Sequence, residues 1–186
     1  MRVTRVEAPL EHFPLPESAQ YNYRPSFSSR HQGVDIFAPK GTPVLAVETG
    51  RAYSRMETKG GKVAYLEGVS GWRYFYGHLD SWDLTLHRLD PKTNEMGATF
   101  RAGEPIGTVG NTGNAAGKPP HLHFQMKKGG TNYDPFDDLR ELDPNRGKSS
   151  SPRPASGLQH DVSQMLKQGG TVLGLLLLWS ILKDRR

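Results

Sequence analysis

The sequence predicts a mainly β domain built around an antiparallel sheet. The 186 residues include 21 glycines and 14 prolines, which are the residues that form turns and end strands. Apolar stretches are mostly four to eight residues long, and the first 140 residues show no long amphipathic helical pattern. These three observations favour short strands joined by turns, and a chain of this length accommodates one hydrophobic core with appended segments.

Six strands are predicted in chain order, with glycine-containing turns between several of them. They cover Pro43 to Glu48, Arg51 to Met56, Lys62 to Leu66, Trp72 to Tyr76, Pro105 to Val109 and His121 to Met126. Side chains alternate faces along a strand, so Trp72, Tyr74 and Tyr76 should share a face opposite Phe75. Core packing is favoured for these three rings, and stacking on a sugar or peptide is the alternative.

Three short motifs place four histidines and one aspartate in the predicted sheet region. The motifs are His31-Gln-Gly-Val-Asp35, Tyr76-Gly-His78-Leu79 and His121-Leu-His123. Imidazole nitrogen and carboxylate oxygen are preferred zinc ligands, and a catalytic zinc has three protein ligands and one open position. The five candidates can therefore supply three zinc ligands and two further residues that assist the reaction. On a strand, His121 and His123 face the same side while Leu122 faces the core.

At these motifs the chain resembles the lysostaphin/LytM-type zinc metallopeptidases, which cut peptide bonds in the bacterial cell wall. The resemblance runs from about Phe27 to Leu142 and includes Tyr133-Asp134-Pro135 near its end. It implies the fold of that family, an antiparallel sheet with a duplicated hybrid motif. The glycine-rich loop from Gly110 to Pro120 ends at His121 and is predicted to form one wall of a cleft.

Carried over position by position, the resemblance implies that His31, Asp35 and His123 bind one Zn²⁺ per chain. His78 and His121 would then face the water and the scissile carbonyl. A His-Glu-x-x-His sequence is absent, so the glutamate base of helix-based zinc proteases is missing. An imidazole with a pKa near ~6.5 can transfer the proton instead, and the sequence does not divide the roles between the two histidines.

The predicted function is zinc-dependent hydrolysis of peptidoglycan stem or cross-bridge peptides, with no nucleic-acid partner. Two alternatives stay open at this point. One is a noncatalytic LytM-like module that binds the wall or activates a partner hydrolase, and the other is a zinc peptidase acting on a protein. The sequence does not indicate which peptide bond is cut, or whether the chain has a cellular or a phage origin.

Charge and composition separate the C-terminal part from the rest. Residues 1 to 143 contain 17 basic and 17 acidic residues, so the net charge of +5 arises in residues 144 to 186. Residues 144–160 are Pro/Ser-rich and predict a flexible linker. Residues 161–186 predict a hydrophobic and basic helix, in which residues 169–182 are uncharged.

As a helix, these 14 uncharged residues would extend about 21 Å, against a hydrocarbon core of ~30 Å. Flanking lysines and Trp179 favour membrane attachment nonetheless. Packing on the catalytic domain or self-association is the alternative.

The expected organisation is a lead-in over residues 1–26, a zinc peptidase domain over residues 27–143, the linker and the C-terminal helix. The first residues contain no apolar signal-peptide region, so a Sec signal is not predicted. The expected location is a membrane, with the catalytic domain facing the cell wall, or delivery by a phage or virion.

Overall fold

The computed structural model describes residues 9–87 and 97–147. Within these residues, ten strands, β1 to β10, cover Asn22–Tyr23, Val34–Phe37, Pro43–Leu45, Gly50–Glu57, Gly61–Gly68, Arg73–Trp82, Ala98–Phe100, Pro105–Val109, His121–Lys128 and Thr131–Tyr133. The same part of the chain contains one α-helix, α1, over Phe136–Leu142, and 3₁₀ turns over Leu84–His87 and Gly113–Ala115.

The strands form a mainly antiparallel β fold, as predicted. The main sheet has the order β1-β2-β9-β6-β5-β4-β7, and every pairing in it is antiparallel. Strand β10 pairs with β9, while β8 pairs with both β3 and β6. The order places β9 and β6, which carry three of the motif histidines, side by side in the middle of the sheet.

One face of this sheet forms the hydrophobic core. Trp72, Tyr74 and Tyr76 are each at most 1% exposed, so the prediction of core packing for these rings is confirmed. Tyr76 also accepts a hydrogen bond from the Val47 amide (3.0 Å) through its hydroxyl. That bond satisfies the one polar atom that the ring brings into the core.

Residues ahead of the motifs also contribute to this core. Phe13 is 2% exposed and Leu15 is fully buried, and strand β1 pairs with β2. The hydroxyls of Tyr21 and Tyr23 donate to the two carboxylate oxygens of Asp143, at 2.5 and 3.0 Å. The part of the lead-in that the structure describes is therefore packed against the domain and connected to its last residues.

The predicted strands agree with the observed ones in position but not always in length. Strand β8 has the predicted bounds, whereas β6 continues past Tyr76 to Trp82 and β3 ends at Leu45. In the described part of the chain, four observed strands lie outside the six predicted ones, namely β1, β2, β7 and β10. Of these, β2 carries Asp35.

The predicted C-terminal helix and most of the predicted linker lie outside the described residues. Within residues 9–87 and 97–147, the structure has no helix long and apolar enough to cross a membrane. Residues 169–182 lie outside that search, so membrane attachment stays a prediction.

Candidate metal centre and cleft

Strand pairing brings the first and third motifs together. Strand β2 pairs with β9 so that Asp35 lies directly opposite His123. On the other side of β9, His123 lies opposite Gly77 of β6. Within strand β2, Val34 and Ile36 are fully buried, which leaves Asp35 on the opposite, cleft-facing side.

Three ligand atoms converge where β2 and β9 meet. Asp35 Oδ1 lies 2.7 Å from His123 Nδ1 and 3.0 Å from His31 Nε2. All three ligand atoms lie within 4.8 Å of one another. Two imidazole nitrogens and one carboxylate oxygen match the donor set of a catalytic zinc with three protein ligands. The residues present therefore fit the metal that the sequence predicts.

The local charges favour the ionised form of Asp35. Burial by itself would raise its pKa, but the hydrogen bond from His123 and the nearby charges of His123, His31 and His121 outweigh it and lower the pKa to about 2. A carboxylate that stays ionised is available as an anionic ligand throughout the neutral range.

The outer nitrogens of both ligand histidines have partners that fix the rings. His31 Nδ1 donates to the Ser26 carbonyl oxygen (3.1 Å), which leaves Nε2 free to bind a metal. The side-chain amide of Gln125 lies 2.7 Å from His123 Nε2. The amide nitrogen occupies this position. With the amide flipped, its oxygen would accept a hydrogen bond from His123 Nε2–H, which leaves Nδ1 as the ligand atom.

His78 and His121 face each other at the same cleft, with ring centroids 4.9 Å apart. His78 Nδ1 donates to the Thr112 carbonyl and His121 Nδ1 donates to the Pro119 carbonyl, each at 2.9 Å. Each donation holds the proton on Nδ1 and leaves Nε2 as the free acceptor. Burial, followed by the charge of His121, lowers the pKa of His78. Its neutral form therefore persists to lower pH than that of an ordinary histidine.

His78 reaches the cleft through an unusual backbone conformation. Its φ of 62° makes it the one non-glycine residue with positive φ in the described part of the chain. Strand β6 shifts register here: residues up to Gly77 pair with β9, and residues from Leu79 pair with β8. Such local strain persists only where the surrounding structure enforces it, and it often marks functional positions.

The five residues line one open cleft of about 670 Å³. The prediction that the glycine-rich loop forms a wall is confirmed, because Asn114, Ala115 and Lys118 border the cleft. Of the remaining histidines, His12 lies away from the cleft, the side chain of His87 is not described and His160 lies outside the described residues.

Several cleft residues were missed at the sequence level. Gln125 and Lys127 follow His123 at two-residue steps on β9, and Phe75 lies opposite Gln125 on β6. Tyr65 packs edge-on against Phe75, with ring centroids 5.3 Å apart. Strand alternation from His121 would have found the two β9 residues. Phe75 and Tyr65 required knowledge of which strands pair.

Comparisons with known proteins match the part of the chain that holds these residues. The family model described as Peptidase family M23 matches residues 29–135, a range that contains all five site residues. An L-Ala–D-Glu endopeptidase of Bacillus subtilis (strain 168) is 33% identical over 155 residues, which is 69% of this chain and 42% of the relative.

A second curated relative carries a different specificity in its name. The glycyl-glycine endopeptidase ALE-1 of Staphylococcus capitis is 33% identical over 98 residues, covering 51% of this chain and 24% of the relative. The chain thus spans less than half the length of these curated relatives.

A solved structure shows the same fold over most of its length. The catalytic domain of the antimicrobial peptidase lysostaphin from Staphylococcus simulans is 30% identical, with a TM-score of 0.50. The match covers 65% of this chain and 90% of that domain.

Proposed function

This chain belongs to Peptidase family M23, and we propose that it is a zinc-dependent endopeptidase that hydrolyses peptide bonds of peptidoglycan. The observation that carries the proposal is the convergence of His31 Nε2, Asp35 Oδ1 and His123 Nδ1 within 4.8 Å of one another. The unprotonated nitrogens of His78 and His121 border the same cleft, so the ligand set and the proton-transfer groups form one site.

The proposed ligands are His31, Asp35 and His123. A zinc ion held there would supply Lewis-acid chemistry, polarising the substrate carbonyl and making water more acidic. The protein holds its ligand atoms in place before substrate binds. The Ser26 carbonyl and the Gln125 amide orient the two imidazole rings, which reduces the motion needed to reach a productive geometry.

His78 and His121 are the proposed acid and base. An Nε2 without a proton takes one from the attacking water, and the resulting imidazolium stabilises the developing oxyanion or protonates the leaving amine. Both rings are held by hydrogen bonds to backbone carbonyls of the Gly110 to Pro120 loop. The lowered pKa of His78 favours the form that accepts a proton at neutral pH.

Peptidoglycan as the substrate is supported by the relatives, whose names specify an L-Ala–D-Glu bond in one case and a glycyl-glycine bond in another. The open cleft suits an extended peptide, because it continues from the metal centre along β9 and β6. The two names do not agree on the bond, so the proposal covers both stem and cross-bridge peptides.

Digestion of purified cell wall by the zinc-loaded full chain tests this function. We expect zinc-dependent release of peptide fragments, loss of release with a chelator and recovery on adding zinc. Asp35→Ala should lower the rate more than ~10³-fold, because metal polarisation contributes several kcal/mol. Lys128→Gln, outside the cleft, is the matched control. Mass spectrometry of the fragments identifies the bond.

Two other outcomes would replace the proposal. Intact wall together with zinc-dependent cleavage of a protein substrate would make this a protein peptidase. Zinc binding without hydrolysis of either substrate, combined with stable binding to wall, would make it a binding or activating module.

We also propose that residues 169–182 attach the chain to a membrane, with the catalytic domain facing the cell wall. Support comes from the uncharged run between Lys167 and Lys183, in which each buried methylene would contribute about 0.8 kcal/mol. In vesicle flotation, the full chain should float and a truncation after Leu158 should not. A full-length monomer that stays at the bottom of the gradient would rule out the anchor.

A further inference from the structure

The described residues have balanced charge, but the cleft does not. Residues 9–87 and 97–147 contain 14 basic and 14 acidic side chains. The cleft takes five of these cations and only two of the carboxylates. The cations are Arg30, Lys59, Arg73, Lys118 and Lys127, and the carboxylates are Asp35 and Glu57. The described residues are neutral overall, whereas the cleft around the catalytic centre carries an excess of positive charge.

Of the two carboxylates, only Glu57 is left to offset these cations. Asp35 faces His31 and His123 at the metal position. Glu57 accepts a hydrogen bond from the Tyr65 hydroxyl (2.5 Å). A bound zinc would add further positive charge at the centre of the cleft.

Among the described residues, four of the five cations have no acidic partner. Arg73 pairs with Glu67 at 2.7 Å, but the structure shows no ion pair for Arg30, Lys59, Lys118 or Lys127 among the residues it describes. Lys127 lies directly opposite Arg73 across the β6–β9 pair. Like charges in that position are destabilising, and an anionic ligand would relieve the repulsion.

The cations lie on both sides of the metal centre. Lys59 and Lys118 belong to adjacent loops on the side of His78 and His121, because the Lys59 carbonyl accepts from the Asn114 amide (2.9 Å). Arg30 immediately precedes His31. Lys127 lies on the cleft face of β9 four residues after His123, roughly 13 Å away along the strand. An extended peptide across the metal would therefore meet a cation within a few residues of its scissile bond.

We propose that this cleft selects acidic peptides, namely peptidoglycan stem peptides with free carboxylates, over uncharged glycine bridges. The inference rests on the proposed function and narrows its substrate class. The cations raise the local concentration of an anionic substrate and orient it. Each exposed pair contributes modestly, so the preference is the combined effect of several cations and weakens with salt.

The test compares two quenched fluorescent stem peptides that differ only in a glutamate carboxylate or its carboxamide, together with a pentaglycine peptide. With the zinc-loaded full chain at low salt, we expect about tenfold higher kcat/KM for the carboxylate peptide. This preference should shrink as sodium chloride is added. Pentaglycine should be the poorest of the three substrates.

Charge-neutralising variants locate the effect. Lys59→Gln and Lys127→Gln should each raise KM for the carboxylate peptide about two- to fivefold, with kcat nearly unchanged and little effect on the carboxamide peptide. Lys128→Gln is the matched control: the same charge is removed one residue later, on the opposite face of β9, where Lys128 lies 5.3 Å from the Trp72 ring centroid. That variant should keep the preference.

Equal hydrolysis of the carboxylate and carboxamide peptides at low salt, or preferred cleavage of pentaglycine, would overturn the inference and leave the proposed function standing. If neither peptide nor wall is hydrolysed, the proposed function fails, and anisotropy measurements of peptide binding to the zinc-loaded protein decide the charge preference separately. Tighter, salt-sensitive binding of the carboxylate peptide would support it. Equal binding would contradict it.

Discussion

The two faces of strand β9 are built from alternate residues of one short segment, and they differ in burial and in polarity. Leu122, Phe124 and Met126 are at most 1% exposed and pack in the core. His121, His123, Gln125 and Lys127 instead line the cleft. Alternation along a strand therefore separates residues that stabilise the core from residues that line the site. A change at one position need not disturb the next.

Strand β6 shows the same alternation of core and cleft residues, but the alternation is interrupted at His78. Tyr74 and Tyr76 face the core, and Phe75 faces the cleft. Strict alternation would next place residue 78 in the core and residue 79 in the cleft. Instead, the left-handed backbone of His78 (φ 62°) reverses the pattern, so that His78 borders the cleft and Leu79 is buried. One irregular residue thus adds a second histidine beside His121.

Removing the cleft imidazoles should have the largest effect on rate. His78→Ala and His121→Ala should each lower hydrolysis ~10²- to 10⁴-fold while zinc content stays at one per chain. Kinetics with metal analysis and melting curves measure this. His12→Ala, a histidine outside the cleft, should retain the parent rate. Unchanged hydrolysis in both cleft variants would mean that neither ring transfers a proton.

Changing the buried Glu48 on the core side should lower the stability of the fold and leave the rate of hydrolysis unchanged. Glu48 is 1% exposed and accepts hydrogen bonds from the Ser70 amide (2.8 Å), the Ser70 hydroxyl (2.9 Å) and the Tyr74 hydroxyl (2.6 Å). Glu48→Gln should lower the free energy of unfolding by about 1–3 kcal/mol. The rate per folded molecule should be unchanged.

Urea denaturation measures this change in stability. Glu104→Gln, which alters an exposed carboxylate that accepts from the Arg101 amide, should shift the free energy of unfolding by less than about 1 kcal/mol. If Glu48→Gln lowered the rate per folded molecule, the two faces would not be energetically separate.

Removing the Gln125 side chain, which contacts His123, should have the smallest of these effects, and it should act on zinc affinity. Gln125→Ala removes the amide that lies 2.7 Å from His123 Nε2, and it should weaken zinc binding ~10- to 100-fold. Competition with a fluorescent chelator measures the affinity. Gln125→Glu keeps an acceptor at the same place and should restore most of it. Equal affinity in all three proteins would show that the amide does not orient the ring.

The parts of the site that follow from simple periodicity could be predicted from sequence. The His121 and His123 pair, with Leu122 facing the core, follows from strand alternation, and the resemblance supplied His31, Asp35 and His78. Strand β2 was not predicted because it has only four residues, two of which belong to the His31–Asp35 motif. Little apolar sequence is therefore left to mark a strand.

Features that depend on strand pairing could not be predicted. The reversal at His78 needs a left-handed backbone at a non-glycine residue, for which the local sequence gives no signal. The aromatic pair Phe75 and Tyr65 and the opposed Arg73 and Lys127 become neighbours only through the register of β5, β6 and β9. Linear spacing does not determine that register.

The separation of metal binding from core packing along β9 is tested by comparing two adjacent residues, His123 and Leu122. The zinc content and the free energy of unfolding of His123→Ala and Leu122→Ala are measured on the full chain by inductively coupled plasma mass spectrometry and urea denaturation. We expect His123→Ala to fold and lose zinc. Leu122→Ala should keep one zinc per folded chain and lose about 2–5 kcal/mol of stability. Full zinc occupancy in His123→Ala would contradict the assignment of this metal centre.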